Sequence, residues 1–269
     1  MNLSTLTPQV IEIVKEAGRF IRQEAAAFDR SQIEYKAANN LVSYVDKQAE
    51  MMLVRGLREA WPQAGFITEE DTVAHEQNPS EFYWVIDPLD GTANFIHGLP
   101  VYCVSVGLVQ NKRPILGVVY HLGSDELFYG WHGGGAWLTL SRQTQRLHVS
   151  AAASLSDSLL ATGFPYYKFE KQDKYLKILE LLMQRCHGLR RMGAAAIDLA
   201  YVAAGRFEAF YEYNLQSWDM AAGALLILEA GGQITDFSGN DDWLFGGDVI
   251  AGGAVQPELQ QLIAQIWEE

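Results

Sequence analysis

One short acidic segment, placed directly after an apolar run, constrains the fold of this chain most. Residues 82–86 (FYWVI) have the length and the aromatic and β-branched character of a buried strand, and the sequence DPLDGTANF follows at residues 87–95. Proline disfavours helical backbone in the residue before it, so Asp87 should lie in extended backbone at the end of the strand. The chain therefore carries a carboxylate at the point where a buried strand ends.

The same segment predicts a turn and a helix after the strand. Asp90 lies three residues beyond Asp87, Gly91 permits a sharp turn, and a helix would begin close to Asp90. The amides of Gly91, Thr92 and Ala93 would then lack intrahelical partners, as they do in sites that bind phosphate. A capped helix after an Asx-type turn also explains the pattern without a ligand, and the residues alone leave both interpretations open.

Carboxylates also lie at the ends of other predicted elements. Glu69 follows a predicted strand at residues 65–68, whereas Asp46 and Asp219 each begin a predicted helix. Each has a structural explanation by itself, as part of a solvated loop or as a helix cap. If the groups converge, two like charges about 4 Å apart repel by roughly 4 kcal/mol at an effective dielectric of about 20, so the cluster needs divalent cations. Oxygen ligands favour Mg²⁺, Mn²⁺ or Ca²⁺ over zinc.

Hydrophobic periodicity divides the chain into two halves of one unit, residues 1–269. About residues 1–150 predict two helices and then an antiparallel sheet, and they hold most of the candidate metal ligands. About residues 151–269 alternate between strands and helices, as in α/β folds, and supply Asp219. The predicted helices cover residues 8–28, 46–61, 171–184, 194–204, 219–230 and 256–267. The predicted strands cover residues 65–68, 82–86, 102–109, 115–121, 127–129, 136–140, 159–162, 207–211, 234–236 and 249–250.

The charge balance narrows the class of partner. A formal net charge of −13 argues against nucleic acid or an anionic membrane as the main partner. It does not argue against an anionic substrate, because bound Mg²⁺ reverses the local field. No apolar run reaches the length of a membrane span, and the two cysteines lack the CxxC spacing of a metal site. We therefore expect a cytoplasmic protein with free thiols.

Two segments resemble the signatures of a known family. WVIDPLDGTANF at residues 84–95 resembles the first signature of the inositol monophosphatases, and WDMAAG at residues 218–223 resembles the second. Further similarity lies at residues 40–46, 66–70, 161–166 and 193–196. The resemblance implies a layered αβαβα sandwich of the sugar-phosphatase fold and a homodimer. It also implies lithium-sensitive, Mg²⁺-dependent hydrolysis of a phosphate monoester, with myo-inositol 1-phosphate as the leading substrate.

The resemblance further implies roles for individual residues. The implied ligands of two or three Mg²⁺ ions, or of Mn²⁺ in their place, are Glu69, Asp87, the Leu89 carbonyl, Asp90 and Asp219. The implied catalytic residues, which would orient a metal-activated water for direct attack on phosphorus, are Glu69, Thr92 and Asp46. The implied substrate contacts are Asp90, Gly91, Thr92, Gly193, Ala194, Ala195 and Glu212.

The substrate stays open at the level of sequence. Ala194 stands where the family often has Ser or Thr, which removes a hydroxyl beside the implied alcohol site. Fructose-1,6-bisphosphatase and 3′-phosphoadenosine-5′-phosphate phosphatase are the alternatives among enzymes, although a bisphosphate site should show more basic residues. Arg190 and Arg191 would either bind a second phosphate or form a solvated pair at the surface. Lys36 would either reach the substrate or remain a surface residue. A regulatory, protein-binding role on a phosphatase fold is the alternative from another class.

Overall fold

The computed structural model describes residues 2–27, 33–37, 40–73 and 81–268 of the chain. The predicted end of the first helix at residue 28 lies outside these ranges, and the side chain of Lys36 is likewise outside the description. Among the described residues, no helix combines the length and the apolar character needed to cross a bilayer.

The first half of the described chain builds a hairpin and a seven-stranded sheet. In chain order its elements are α1 (Leu3–Ala27), β1 (Ile33–Ala37), β2 (Asn40–Ser43), α2 (Tyr44–Ala60), β3 (Gly65–Thr68), β4 (Phe82–Asp90), α3 (Thr92–His97), β5 (Cys103–Gln110), β6 (Arg113–His121), β7 (Glu126–Trp131), β8 (Gly135–Leu140) and β9 (Gln143–Arg146). The sheet runs in the order β3 to β9, and its neighbours are antiparallel except β3 and β4. Because β3 and β4 run parallel, the residues that follow both strands meet at one edge of the sheet.

The second half forms a five-stranded mixed sheet. Its elements are β10 (Leu159–Thr162), α4 (Gln172–Arg185), β11 (Gly188–Arg190), α5 (Ala195–Ala203), β12 (Ala209–Glu212), α6 (Ser217–Glu229), β13 (Gln233–Thr235), α7 (Trp243–Gly246), β14 (Val249–Gly252) and α8 (Gln256–Trp267). The strand order is β11-β10-β12-β14-β13. The first three strands are parallel, and β14 is antiparallel to both of its neighbours.

The two sheets and the helices stack in five layers. Helices α1 and α2 pack on the outer face of the first sheet, α5 and α6 lie between the sheets, and α4 and α8 pack together outside the second sheet. A helix that is apolar on all sides belongs in such a central layer, and α5 and α6 are buried along almost their whole length. The predicted αβαβα sandwich is therefore confirmed.

Small residues bring the central layer close to the first sheet. A Cβ added to Gly107 of β5 would lie 2.8 Å from the Cβ of Ala221, and one added to Gly117 of β6 would lie 2.6 Å from the carbonyl oxygen of Ala222. Helix α6 therefore rests directly on the backbone of two strands. This contact fixes the distance between the first sheet and Asp219, which lies in the first turn of α6.

Most predicted elements are present, with differences at specific places. The strand after residue 82 does not end before Asp87 but continues through Pro88 to Asp90, with an irregular register against β5 between Asp87 and Asp90. Such a bulge accommodates proline, which has no N–H to donate to the ladder. The short elements β9, β11 and α7 and the β1–β2 hairpin were not predicted, because three to five residues carry too little periodicity to be recognised.

Candidate active site

Four carboxylate side chains meet where β3, β4 and α6 end or begin. Asp87, Asp90 and Asp219 each offer an oxygen within 4.8 Å of the others. Glu69 follows β3, its amide donates a hydrogen bond to the Ile86 carbonyl of β4, and its carboxyl hydrogen-bonds with that of Asp87. The predicted convergence of acidic residues from separate elements is thus present in the structure.

Backbone amides hold three of these carboxylates in place. Asp87 Oδ1 accepts a 2.9 Å hydrogen bond from the Leu89 amide, and Asp90 Oδ2 accepts a 2.7 Å bond from the Ala196 amide in the first turn of α5. Asp219 was expected to begin its helix but is its third residue. Its Oδ2 accepts a 2.7 Å hydrogen bond from the backbone amide of Gln216. In return, the Gln216 side chain accepts a hydrogen bond from the backbone amide of Asp219. This capping box satisfies two amides at the start of α6.

The electrostatics of this cluster match a cation site. Burial, together with the charges of Glu69, Asp90 and Asp219, raises the pKa of Asp87 well above its usual value. Burial and the charge of Asp90 do the same to the pKa of Asp219, and burial raises the pKa of Asp90 to about 6. Buried carboxylates that repel one another are stabilised by a divalent cation, and an all-oxygen donor set fits a hard ion such as Mg²⁺.

The predicted pair of Asp46 and Thr92 is also formed. Thr92 Oγ1 lies 2.9 Å from Asp46 Oδ1 and 2.9 Å from the Leu89 carbonyl oxygen, so its proton can go to either acceptor. Asp46 is fully buried on α2 and contacts the site through Thr92. The hydroxyl of Thr92 therefore has a fixed position beside the carboxylate cluster.

Gly91 occupies a position that only glycine suits. Its φ of 91° lies in the left-handed region, and an added Cβ would lie 2.7 Å from the Val101 carbonyl oxygen. Gly91 is the N-cap of α3, one residue after Asp90, which the sequence placed near the cap, and Gly91, Thr92 and Ala93 line the same cavity as the carboxylates.

Two connected cavities lie over these groups. The outer one, of about 230 Å³, is lined by Glu69, Asp87, Leu89, Asp90, Gly91, Thr92, Ala93, Asn94, Tyr166, Arg191, Gly193 and Asp219. The inner one, of about 140 Å³, is lined by Asp90, Thr162, Gly163, Arg191, Gly193, Ala194, Ala195, Asp198, Glu212, Leu215 and Asp219. Every predicted metal ligand lines the outer cavity. The predicted substrate contacts are divided between the two, with Glu212, Ala194 and Ala195 in the inner one.

Comparison with known proteins decides the family. A model of the inositol monophosphatase family matches residues 2–269. The chain belongs to the inositol monophosphatase family. An inositol-1-monophosphatase of Mesorhizobium japonicum is 38% identical over 255 residues, which cover 95% of this chain and 94% of the relative.

Relatives that are named SuhB are about as similar to this chain as those that are named inositol-1-monophosphatase. A putative Nus factor SuhB of Neisseria meningitidis serogroup B is 41% identical over 237 residues, covering 88% of this chain and 89% of the relative. The crystal structure of the extragenic suppressor protein suhB from Bartonella henselae matches with a TM-score of 0.88 at 36% identity, covering 96% of this chain and 98% of that one.

Sequence reasoning assigned no role at the site to Gly163 or Asp198 and left the role of Arg191 open, yet all three line the inner cavity. Gly163 gives room to Glu212, because an added Cβ would lie 2.1 Å from Glu212 Oε2. Arg191 lies over the rings of Phe164 and Tyr166, 5.4 and 5.0 Å from their centres. Asp198 lines the wall beside Glu212. Of the two residues without an assigned role, only Gly163 had a signal in the sequence, since it belongs to the similar segment at residues 161–166.

The two adjacent arginines have different surroundings. Both are exposed, but Arg190 donates to the Leu189 carbonyl oxygen whereas Arg191 lines both cavities. Asn94 steadies the backbone beside Arg191, because its amide nitrogen donates to the carbonyl oxygens of Val101 and Met192 at 2.7 and 2.9 Å. Both arginines are therefore solvated, and Arg191 also faces the candidate site.

Proposed function

We propose that this chain is a Mg²⁺-dependent phosphatase that hydrolyses a phosphate monoester of a polyol, with myo-inositol 1-phosphate as the leading substrate. The observation that carries the proposal is the convergence of Glu69, Asp87, Asp90 and Asp219 beside a cavity wall that holds Glu212. Clustered, buried like charges lower the stability of a protein without its cations, so a purely structural role would not retain them.

The side chains have separate roles in the proposed reaction. Glu69, Asp87, the Leu89 carbonyl, Asp90 and Asp219 would hold two or three Mg²⁺ ions, or Mn²⁺ in their place. When bound, such ions lower the pKa of water and neutralise charge that develops on phosphate oxygens. Glu69 and the Thr92 hydroxyl, which Asp46 orients, would position the attacking water. Its proton would go to the Glu69 carboxylate, or to the Thr92 oxygen as Thr92 passes its own proton to Asp46. The amides of Gly91 and Thr92 bind the non-bridging oxygens.

The inner cavity favours a polyol monophosphate over the bisphosphate alternatives. Arg191 is the only lysine or arginine among the described residues that line either cavity. A second phosphate would therefore meet Glu212 and Asp198 with a single opposing cation. Hydroxyl groups, in contrast, donate readily to carboxylates.

A panel of phosphate esters tests this assignment. Phosphate release is measured with myo-inositol 1-phosphate, fructose 1,6-bisphosphate and 3′-phosphoadenosine 5′-phosphate, each with and without Mg²⁺. The largest kcat/KM is expected for myo-inositol 1-phosphate. A larger kcat/KM for either bisphosphate would replace the proposed substrate.

A regulatory role is the second candidate, and the name of the Neisseria relative, putative Nus factor SuhB, is the observation that favours it. The intact acidic cluster is compatible with both roles in one protein. In a strain lacking its own copy of this protein, Asp219→Asn should restore any regulatory phenotype while restoring no phosphatase activity. Failure of this variant where the wild type succeeds would tie the phenotype to catalysis.

The resemblance also supports a homodimer and inhibition by lithium. Light scattering on the purified protein should give the mass of two chains. Phosphate release in the presence of Mg²⁺ should fall when LiCl is added and should stay unchanged with the same concentration of NaCl.

A further inference from the structure

Asp198 is a buried carboxyl group without a hydrogen-bond partner. It lies on α5, is 2% exposed, and its Oδ1 is buried with no partner among the described residues. Its side chain lines the inner cavity. Buried polar groups are nearly always hydrogen-bonded, so an exception of this kind calls for an explanation.

Two other buried carboxyl groups, those of Glu50 and Glu126, each have several hydrogen-bond partners. Glu50 accepts hydrogen bonds from the amides of Glu70 and Thr72, and Glu126 accepts them from Ser124, Tyr201 and Arg206. Asp198 has no comparable structural task. It also lies outside the group of Asp87, Asp90 and Asp219 that could share a metal ion.

The position of Asp198 connects it to the proposed reaction. The inner cavity shares Asp90, Arg191, Gly193 and Asp219 with the outer cavity, so a molecule whose phosphate lies at the carboxylate cluster extends toward Asp198. Glu212 lines the same inner cavity. Two carboxyl groups thus line the space that the alcohol part of a substrate would occupy.

We propose that Asp198 determines specificity by accepting a hydrogen bond from a hydroxyl group of the substrate alcohol, beside the hydroxyl that Glu212 binds. The inference rests on the proposed function and narrows it to alcohols with at least two hydroxyl groups on the side directed into the inner cavity. A simple aryl or alkyl phosphate leaves both carboxyl groups without partners. A site whose polar groups remain unpaired discriminates strongly against such a ligand.

The test compares two substrates in matched variants. kcat/KM is measured for myo-inositol 1-phosphate and for p-nitrophenyl phosphate, which has no hydroxyl group, in the wild type, Asp198→Ala, Asp198→Asn and Glu126→Gln. The kcat/KM for myo-inositol 1-phosphate, divided by that for p-nitrophenyl phosphate, should fall about tenfold in Asp198→Ala. Most of this fall should come from a higher KM for myo-inositol 1-phosphate. Asp198→Asn, which keeps a hydrogen-bonding side chain, should recover part of the loss.

The control separates specificity from stability. Glu126→Gln breaks a buried network away from both cavities, so it should lower Tm and leave the ratio unchanged. Asp198→Asn should not lower Tm, because the wild-type carboxyl has no partner to lose. A ratio equal to that of the wild type in both Asp198 variants would overturn the inference, even if the wild type hydrolyses myo-inositol 1-phosphate well.

A binding measurement covers the case in which the proposed function fails. If the wild type releases no phosphate from myo-inositol 1-phosphate, the proposed substrate is wrong, and titration calorimetry with the same compound decides about Asp198. Binding that weakens about tenfold in Asp198→Ala would support the inference on its own. Absence of binding, or equal binding by wild type and variant, would overturn it.

Discussion

The carboxylate of Asp90 accepts a 2.7 Å hydrogen bond from the amide of Ala196, which lies 106 residues later in the chain. Asp90 ends β4 in the first sheet, and Ala196 lies in the first turn of α5 in the central layer. One side chain therefore belongs to the candidate metal cluster and also fixes α5, whose first residue, Ala195, lines the inner cavity. This bond links the carboxylate cluster of the outer cavity to the wall of the inner cavity.

Substitutions of Asp87 and Asp90 should consequently differ in their effect on stability. Asp90→Ala leaves the Ala196 amide buried without a partner, which should lower the free energy of unfolding by about 1–3 kcal/mol. Asp87→Asn removes an ionisable group whose charged form is disfavoured by burial and by the neighbouring carboxylates, so it should raise Tm in EDTA. Both should reduce turnover on the order of 10²-fold. Thermal unfolding in EDTA gives the comparison, and equal Tm shifts of the same sign would contradict it.

Gly163→Ala should act on specificity through Glu212. The added methyl group would lie 2.1 Å from Glu212 Oε2, and the end of that flexible side chain would have to move away. KM for myo-inositol 1-phosphate should rise about tenfold, as for a lost buried hydrogen bond, while Tm changes little. Steady-state kinetics of Gly163→Ala and Glu212→Ala should show similar profiles. A normal KM in Gly163→Ala would show that Glu212 does not bind the alcohol.

Binding of Mg²⁺ should release protons and should tighten as the pH rises. Burial and mutual repulsion raise the pKa of Asp87 and Asp219 in the metal-free protein, and burial raises the pKa of Asp90 to about 6. These groups must lose bound protons before they can ligate a cation. Calorimetry between pH 5.5 and 8, in buffers of different ionisation enthalpy, measures the proton release directly. An affinity independent of pH would contradict the coupling.

The buried hydrogen-bond network around His121 should contribute less to stability as the pH falls. Burial lowers the pKa of His121 from its ordinary value of 6.5, so the ring is held neutral where its Nδ1 meets Ser124 and Tyr201. A lowered folded-state pKa means that the unfolded chain binds more protons, so this contribution is complete above about pH 6.5 and is lost as the pH falls. The Tm difference between wild type and His121→Gln should therefore shrink from pH 7.5 to pH 5. A constant difference would exclude this role.

Those features of the site that depend on neighbouring residues in the chain could be predicted from the sequence. The segment at residues 84–95 predicted a strand, a turn and a helix, because Pro88 and Gly91 restrict the backbone locally. The αβαβα layering followed from the family resemblance and is confirmed. The roles of the individual ligands and contacts remain predictions, although the structure brings these residues together.

Features that depend on contacts between distant segments could not be predicted. The bond between Asp90 and Ala196, the space that Gly163 leaves for Glu212 and the lack of a partner for Asp198 all require packing of the central helices against both sheets. In the sequence, Asp198 is one polar residue within an apolar helical stretch. Its importance emerges only from what surrounds it.

The most direct test of the central claim is phosphate release from myo-inositol 1-phosphate by the wild type and by Asp219→Asn, each in Mg²⁺ and in EDTA. The wild type should release phosphate in Mg²⁺ and fall to background in EDTA. Asp219→Asn should remain folded by circular dichroism and lose on the order of 10²-fold or more of kcat at saturating Mg²⁺. Equal rates in Mg²⁺ and EDTA, or a near-normal kcat for Asp219→Asn, would contradict metal-dependent hydrolysis at this carboxylate cluster.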